Sequence, residues 1–172
     1  MKNTLKFVLI ITVIALCSNV SAQNAKFAHI NRSELIVSMP EYDSAMVKLQ
    51  KFVQELEQLL EEMNVELNRK YEEFTKNQAN WSDLVRQAKT DEVQTMNQRF
   101  QAFQQQAEEN VQQEQGKLMQ PIFEKANKAI ETVAKEQGIT YVISDDPQIL
   151  FYKATGTIDL LPAVQKNLGI AR

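Results

Sequence analysis

The stretch QPIFEKANKAIETVAKEQGITYVIS, residues 120–144, joins the two kinds of secondary structure that this chain uses. Its apolar residues recur every three or four positions, as on one face of a helix: Ile122, Ala126, Ala129, Ile130 and Val133. Gly138 is a helix stop, and the run ITYVIS that follows predicts a strand over 139–144. Pro121 stands at the front of this stretch, after a long helix-like sequence, so its role decides how the parts connect.

The sequence before Pro121 favours helix strongly, because residues 41–115 contain neither proline nor glycine. A first apolar stripe predicts one buried helix face: Leu49, Phe52, Leu56, Leu59, Met63, Leu67, Tyr71 and Phe74. A second stripe follows: Val93, Met96, Phe100, Phe103, Ala107, Val111, Leu118 and Ile122.

The run TKNQANWSDL, residues 75–84, separates the two stripes and is rich in residues that favour turns and caps. Ser82 is the expected N-cap of the second helix. A single helix of about 80 residues would span roughly 120 Å, whereas a hairpin lets each stripe bury against the other. We therefore predict an antiparallel helical hairpin, an arm over residues 40–121 with its tip near 77–83.

Two prolines mark the base of this arm. Pro40 lies 40 residues before Asn80 and Pro121 lies 41 residues after it, so a hairpin places them side by side. Pro40 suits a helix start, where its missing N–H costs nothing. Pro121 lacks an N–H and crowds the carbonyl of Lys117, and Gly116 adds backbone freedom. We predict a kinked but continuous helix here, with Pro40, Gly116 and Pro121 as an arm hinge.

Three short strands are predicted outside the arm, at residues 26–31, 139–144 and 148–154. A turn at residues 145–147 joins the second to the third. Three short strands make a poor sheet with exposed edges, which favours oligomerisation.

A short helix is predicted within DLLPAVQKNLG, with Asp159 as its N-cap and Gly169 as its stop. With the strands it completes a small β body over residues 23–39 and 122–172. The predicted fold class is α+β.

The first 22 residues predict a secretory signal peptide. A short basic start precedes an apolar run at residues 7–17, and small residues lead to cleavage after Ala22. The run is too short to span a bilayer, which needs about 20 residues. A lipid-attached Cys17 is disfavoured because Leu16, rather than a small residue, precedes it. We expect a periplasmic or secreted protein.

The mature chain offers little for catalysis or for nucleic acid. Removing Lys2 and Lys6 leaves 17 basic against 22 acidic residues, a net charge of −5, so binding to nucleic acid is not expected. It contains no cysteine, and His29, in a strand, is its only histidine. Asp145 and Asp146 lack the glycine and the spaced oxygens of a calcium loop. We predict no enzyme, metal or cofactor.

Trp81 is the one tryptophan and lies at the predicted tip. It either packs over the turn and closes the hairpin core, or contacts a client or a membrane surface.

These parts, in this order, resemble the Skp/OmpH family of periplasmic chaperones. The segments that carry the resemblance are HINRSELI, MPEYDSA, LMQPIFEKANKAIETVAKEQGITYVISD, LFYKA and IDLLPAVQKNL, within residues 26–168. The resemblance implies a jellyfish-shaped homotrimer, in which strands of three chains form the body and three arms enclose a cavity. The residues expected in that trimer body are Phe27, Ile30, Tyr141, Val142, Ile143, Leu150 and Phe151.

The resemblance also implies a holdase that keeps unfolded outer-membrane β-barrel proteins in the cavity without ATP. The best-known members are basic, whereas this chain is acidic, so contact with lipopolysaccharide or a membrane is not carried over. The alternative is a coiled-coil envelope adaptor that binds one specific folded partner.

Overall fold

The computed structural model describes residues 25–146 and 148–170. The predicted signal peptide, its cleavage after Ala22, and Pro147 lie outside the described residues. The elements, in chain order, are β1 (Phe27–Ile30), α1 (Arg32–Val37), α2 (Pro40–Asn77), a 3₁₀ turn (Gln78–Asn80), α3 (Asp83–Glu136), β2 (Tyr141–Ser144), β3 (Ile158–Asp159) and α4 (Leu161–Asn167).

The three strands form one parallel sheet in the order β2, β1, β3. Phe27 pairs with Tyr141 at one end of β1, and His29 pairs with both Ile143 and Asp159. Because side chains alternate along a strand, Phe27 and His29 share one face of the sheet while Ala28 and Ile30 share the other.

The second face of the sheet packs on the helices and forms the core. Ala28 and Ile30 lie there with α1, the start of α2, the end of α3 and α4. Ala126 and Ala129 let the α3 backbone approach the core closely. The large side chains that are fully buried there are Leu35, Met39, Leu160 and Val164. The core is therefore built from both ends of the chain, which brings the two termini of the arm together.

Helices α2 and α3 pack against each other along the arm. Pro40 is the first residue of α2, and the Ser82 hydroxyl caps α3 by accepting a hydrogen bond from the Val85 N–H, as predicted. All eight members of the second apolar stripe are buried or half-buried. The first stripe is partly wrong, since Leu59 and Tyr71 are exposed and Leu60 and Lys70 take their places in the seam.

The α3 helix ends as its sequence predicts. Gly138 has a φ of +63°, a left-handed conformation that favours glycine. The Ile139 N–H donates to the Ala134 carbonyl at 2.9 Å and the Gly138 N–H donates to Lys135 at 3.2 Å. This Schellman motif closes the helix and directs the chain into β2.

The predicted strand at residues 148–154 is wrong. This segment forms a turn and irregular extended chain, and the third strand is Ile158–Asp159 instead. The Asp146 carbonyl accepts from the N–H groups of Ile149 and Leu150, and its carboxylate accepts from the Gln148 N–H. These bonds hold the start of the segment in a turn. A segment with a β-like composition forms a strand only where a neighbouring strand can pair with it.

Two helix starts also differ from expectation. Helix α1 was not predicted, although Asn31 accepts a hydrogen bond from the Glu34 N–H at 3.0 Å, a local N-cap signal. The N-cap of α4 is Leu160 rather than Asp159. The Asp159 carboxylate instead accepts from the Leu161 N–H at 2.9 Å, so it supports the same helix start from one residue earlier.

Candidate functional site

The base of the arm contains an open groove of about 590 Å³. Pro40 and Pro121 both line it, which places the two prolines side by side. The Lys125 ammonium bonds the Glu41 carboxylate across this base, and that hydrogen bond is the main reason that the pKa of Glu41 lies below its usual value. Ion pairing therefore joins α2 to α3 at the level of the prolines.

Helix α3 passes through this base without a break. It runs from Asp83 to Glu136 and contains both Gly116 and Pro121. A side chain added at Gly116 would meet open space, so no close packing requires glycine there. Two of the three predicted hinge residues, Gly116 and Pro121, thus lie in one continuous helix that connects the arm to the core, whereas Pro40 begins α2.

One side of the seam between α2 and α3, named here the amide face, carries two open grooves. The inner groove, about 480 Å³, is lined by Val53, Leu60, Gln104 and their neighbours. The outer groove, about 440 Å³, is lined by Leu67 and Asn97 and their neighbours. Because Leu60 and Leu67 are seven residues apart, as are Asn97 and Gln104, both grooves lie on the same side of the arm.

The rims of the amide face are mostly carboxamides: Asn68, Gln94, Asn97, Gln98, Gln104 and Gln112. No charged residue lines the outer groove, and Glu57 and Glu108 are the charged residues that line the inner one. The walls are apolar, so the outer groove combines neutral hydrogen-bonding groups with hydrophobic surface, and the inner groove adds two carboxylates to the same combination.

The opposite side of the seam, named here the ionic face, has a groove lined by Glu66, Asp91, Glu92 and Arg99 among others. Two of its carboxylates have cationic partners, since Glu66 lies 4.0 Å from Arg69 and Glu92 pairs with two lysines. Glu92 accepts hydrogen bonds from Lys70 on α2 and from Lys89 at 2.9 Å. These two hydrogen bonds lower the pKa of Glu92 to about 2, and the bond from Lys70 has the larger effect.

The tip is closed by Trp81. Its ring meets Phe74 edge-on with centroids 5.8 Å apart, so it packs over the turn. The Arg86 guanidinium donates to the carbonyls of Gln78 and Trp81, at 3.1 and 3.2 Å, and thereby ties the turn to α3. Leu84 is the most exposed apolar side chain near the tip.

The face of the sheet that points away from the core is largely uncovered. Phe27 and Tyr141 stack with centroids 5.4 Å apart, and each is more than half exposed. Ile143 lies on the same face, and Phe151 is 92% exposed. Of the other residues expected in the trimer body, Val142 and Leu150 are half-buried and Ile30 belongs to the chain's own core.

His29 is covered by the segment after β2. Its Nδ1 lies 3.3 Å from Asp145 Oδ2, the same oxygen that the Lys153 ammonium contacts. The pKa of Asp145 is lowered, first by the Lys153 hydrogen bond and then by His29. Asp145 thus lies between His29 of the sheet and Lys153 further along the chain, which is a structural setting for the histidine.

Within residues 25–146 and 148–170, no group of three or more His, Cys, Asp or Glu side chains is arranged to hold a metal ion. No helix in this part of the chain is long and apolar enough to cross a membrane.

The sequence matches a known family. The model of the OmpH-like outer membrane protein family matches residues 26–168, which includes the strands, the arm and α4. The chain belongs to the OmpH-like family. A crystal structure from Caulobacter crescentus CB15, of a protein described as an OmpH-like outer membrane chaperone, matches with a TM-score of 0.71. The match has 12% identity and covers 85% of this chain and 83% of that one, so it shows a shared fold.

A comparison with curated protein sequences found no match. The OmpH-like chain and its structural relative thus share a fold at low sequence identity. Sequence reasoning found Pro40, Pro121, the Ser82 cap and Trp81 because their signals are local. It missed the amide face, whose signal is a seven-residue spacing of Asn and Gln that becomes visible once the seam is known.

Proposed function

We propose that this OmpH-like chain is a periplasmic chaperone of the holdase type. It binds unfolded outer-membrane β-barrel proteins in a cavity between the arms of a homotrimer, prevents their aggregation, and uses no ATP. Family membership over residues 26–168 and a structural relative described as an outer membrane chaperone support the class. The observation that carries the proposal is the paired-helix arm, whose length and open grooves provide a large contact surface.

The homotrimer is supported by surfaces that a single chain leaves uncovered. The stacked pair of Phe27 and Tyr141 forms an apolar patch on the outer face of the sheet, and such patches mark interfaces. Phe151 and Tyr152 are the most exposed aromatics of the body. Strands β2 and β3 are both edges of the sheet, so neighbouring copies would both cover the aromatics and pair the edges.

A holdase function is consistent with the chemistry of the arm. Holding an unfolded chain requires many weak contacts over a large surface and a shape that separates clients from one another. Apolar side chains that line the open grooves of the seam, such as Val53 and Leu67, provide contacts of this kind. A secreted protein without ATP must act by binding alone, and the arm provides that surface.

The test measures aggregation and mass together. An unfolded outer-membrane β-barrel protein is diluted from urea with and without a low molar excess of the mature protein, and light scattering is followed. We expect suppressed scattering and a native mass of three chains. Unchanged scattering would reject the holdase, and a monomer or dimer would reject the enclosed cavity. Tight, stoichiometric binding to one folded envelope protein, with indifference to unfolded clients, would indicate an adaptor instead.

A further inference from the structure

We propose that the amide face of the arm is the surface that holds the client, and that it binds extended, uncharged stretches of unfolded polypeptide. The inference rests on the proposed chaperone function and specifies which side of the arm carries it. The ionic face remains in contact with water and other charges.

The rim of the amide face has the hydrogen-bonding chemistry of a peptide backbone. Each carboxamide carries both a donor and an acceptor, and each non-proline residue of an unfolded chain exposes one of each. Asn97 and Gln104 can therefore bond a passing backbone in either direction. The absence of charge among the residues that line the outer groove means that no sign of client charge is selected.

The apolar walls between the rims suit alternate side chains of an extended segment. Successive side chains of such a segment point to opposite sides, so every second one faces Leu60, Leu67 or Val93. The two grooves together extend from Val53 to Tyr71, a rise of roughly 27 Å along the helix. That length matches about eight residues of extended chain.

The carboxamides are weakly engaged with each other and can be recruited. The Asn68 amide donates to Asn64 at 3.3 Å, and the Gln101 amide donates to Asn97 at 2.9 Å. Each pair uses one donor and one acceptor, which leaves further hydrogen-bonding capacity on both members.

The ionic face is a poor site for the same ligand. Lys70, Glu92 and Lys89 already satisfy one another there, and Glu66 lies 4.0 Å from Arg69. Covering such charges with a neutral chain would remove water from them without supplying opposite charges, which is unfavourable.

Matched charge substitutions on the two faces of α3 test the assignment. On the amide face, Gln104 lines the inner groove and Gln101 is bonded to Asn97. On the ionic face, Gln106 follows Arg99 by seven residues and Gln113 follows Gln106 by seven, so both share its side of the helix. All four glutamines are exposed. The amide-face variant therefore carries Gln101→Glu and Gln104→Glu, and the ionic-face variant carries Gln106→Glu and Gln113→Glu.

Both variants add two negative charges, and each removes one carboxamide pair, Gln101 with Asn97 or Gln106 with Asn110. The full mature protein is titrated with an unfolded outer-membrane β-barrel protein, and far-UV circular dichroism verifies the helix content. We expect about a tenfold loss of affinity for the amide-face variant and less than about a twofold loss for the ionic-face variant.

The outcomes separate the face assignment from the chaperone function. Equal losses in the two variants, or a larger loss on the ionic face, overturn the assignment while the function stands. If the amide-face variant has a reduced native mass but binds the client as tightly per assembly, the amide face contacts a neighbouring arm. That result also overturns its assignment to the client. Failure of the unsubstituted protein to bind the client rejects the function itself, and the face assignment with it.

Discussion

Replacing Glu92 with Gln removes the charge at the centre of the ionic cluster and is expected to destabilise the arm. Glu92 lies on α3 and accepts a hydrogen bond from Lys70 on α2, so the contact crosses the seam. Lys89 bonds the other carboxylate oxygen at 2.9 Å. Loss of the charge therefore weakens two contacts, one of which joins the two helices of the arm.

The magnitude follows from the pKa of Glu92, which falls from 4.5 to about 2. At 1.36 kcal/mol for each pKa unit, this shift corresponds to an upper limit of about 3 kcal/mol. The Glu92 side chain is 35% exposed, so water screens the interaction and we expect a contribution of about 1 kcal/mol. A folded-state pKa below the unfolded value means that this stabilisation is present above pH 4.5 and is lost as the pH falls toward 2.

The assay is urea unfolding followed by far-UV circular dichroism at pH 7 and at pH 3. Glu92→Gln should lower the free energy of unfolding by about 1 kcal/mol at pH 7, and by less than about half of that at pH 3. The control is Glu72→Gln, because the ion pair of Glu72 with Lys76 lies within α2 and both side chains are mostly exposed. Its expected cost is below about 0.5 kcal/mol. The reasoning is refuted if the two substitutions lower the free energy of unfolding equally, or if the difference between them is the same at pH 7 and pH 3.

Two further substitutions test the core and the hinge. Leu35 is fully buried in α1, so Leu35→Ala should lower the free energy of unfolding by about 2–5 kcal/mol. The control, Val37→Ala on the exposed side of the same helix, should change it by less than about 0.5 kcal/mol. Equal effects of the two substitutions would contradict the core described here. Pro121→Ala restores an N–H that can bond the Lys117 carbonyl, so it should narrow the distribution of tip-to-body distances measured between spin labels. An unchanged distribution would contradict the hinge.

The arm was predictable because its signals are local. Three signals act within a few residues of where they appear: the apolar spacing, the absence of proline and glycine over residues 41–115, and the helix starts marked by Pro40 and Ser82. The exact seam was less predictable. Leu59 and Leu60 are adjacent and equally apolar, yet in the packed arm Leu60 is half-buried and Leu59 is exposed.

The body was harder to predict because strands depend on partners. The sequence at residues 148–154 has a β-like composition, yet within a single chain it forms a turn held by Asp146 and leaves Phe151 uncovered. Two residues, Ile158 and Asp159, pair with β1 instead. The amide face could not be read from composition, since glutamines also lie on the ionic face, as at Gln106.

Pro121 divides helix α3 into two parts of unequal length. About 38 residues of it lie on the arm side of Pro121 and 15 residues, from Ile122 to Glu136, lie on the body side, so the two lengths are roughly 57 and 22 Å. The short side is anchored in the core through Ile122, Ala126 and Val133. If the helix bends at Pro121, a swing of about 5° moves the tip by about 5 Å and leaves the body side in place. The length of the arm thus converts a small change of backbone angle at one residue into a large displacement at the tip.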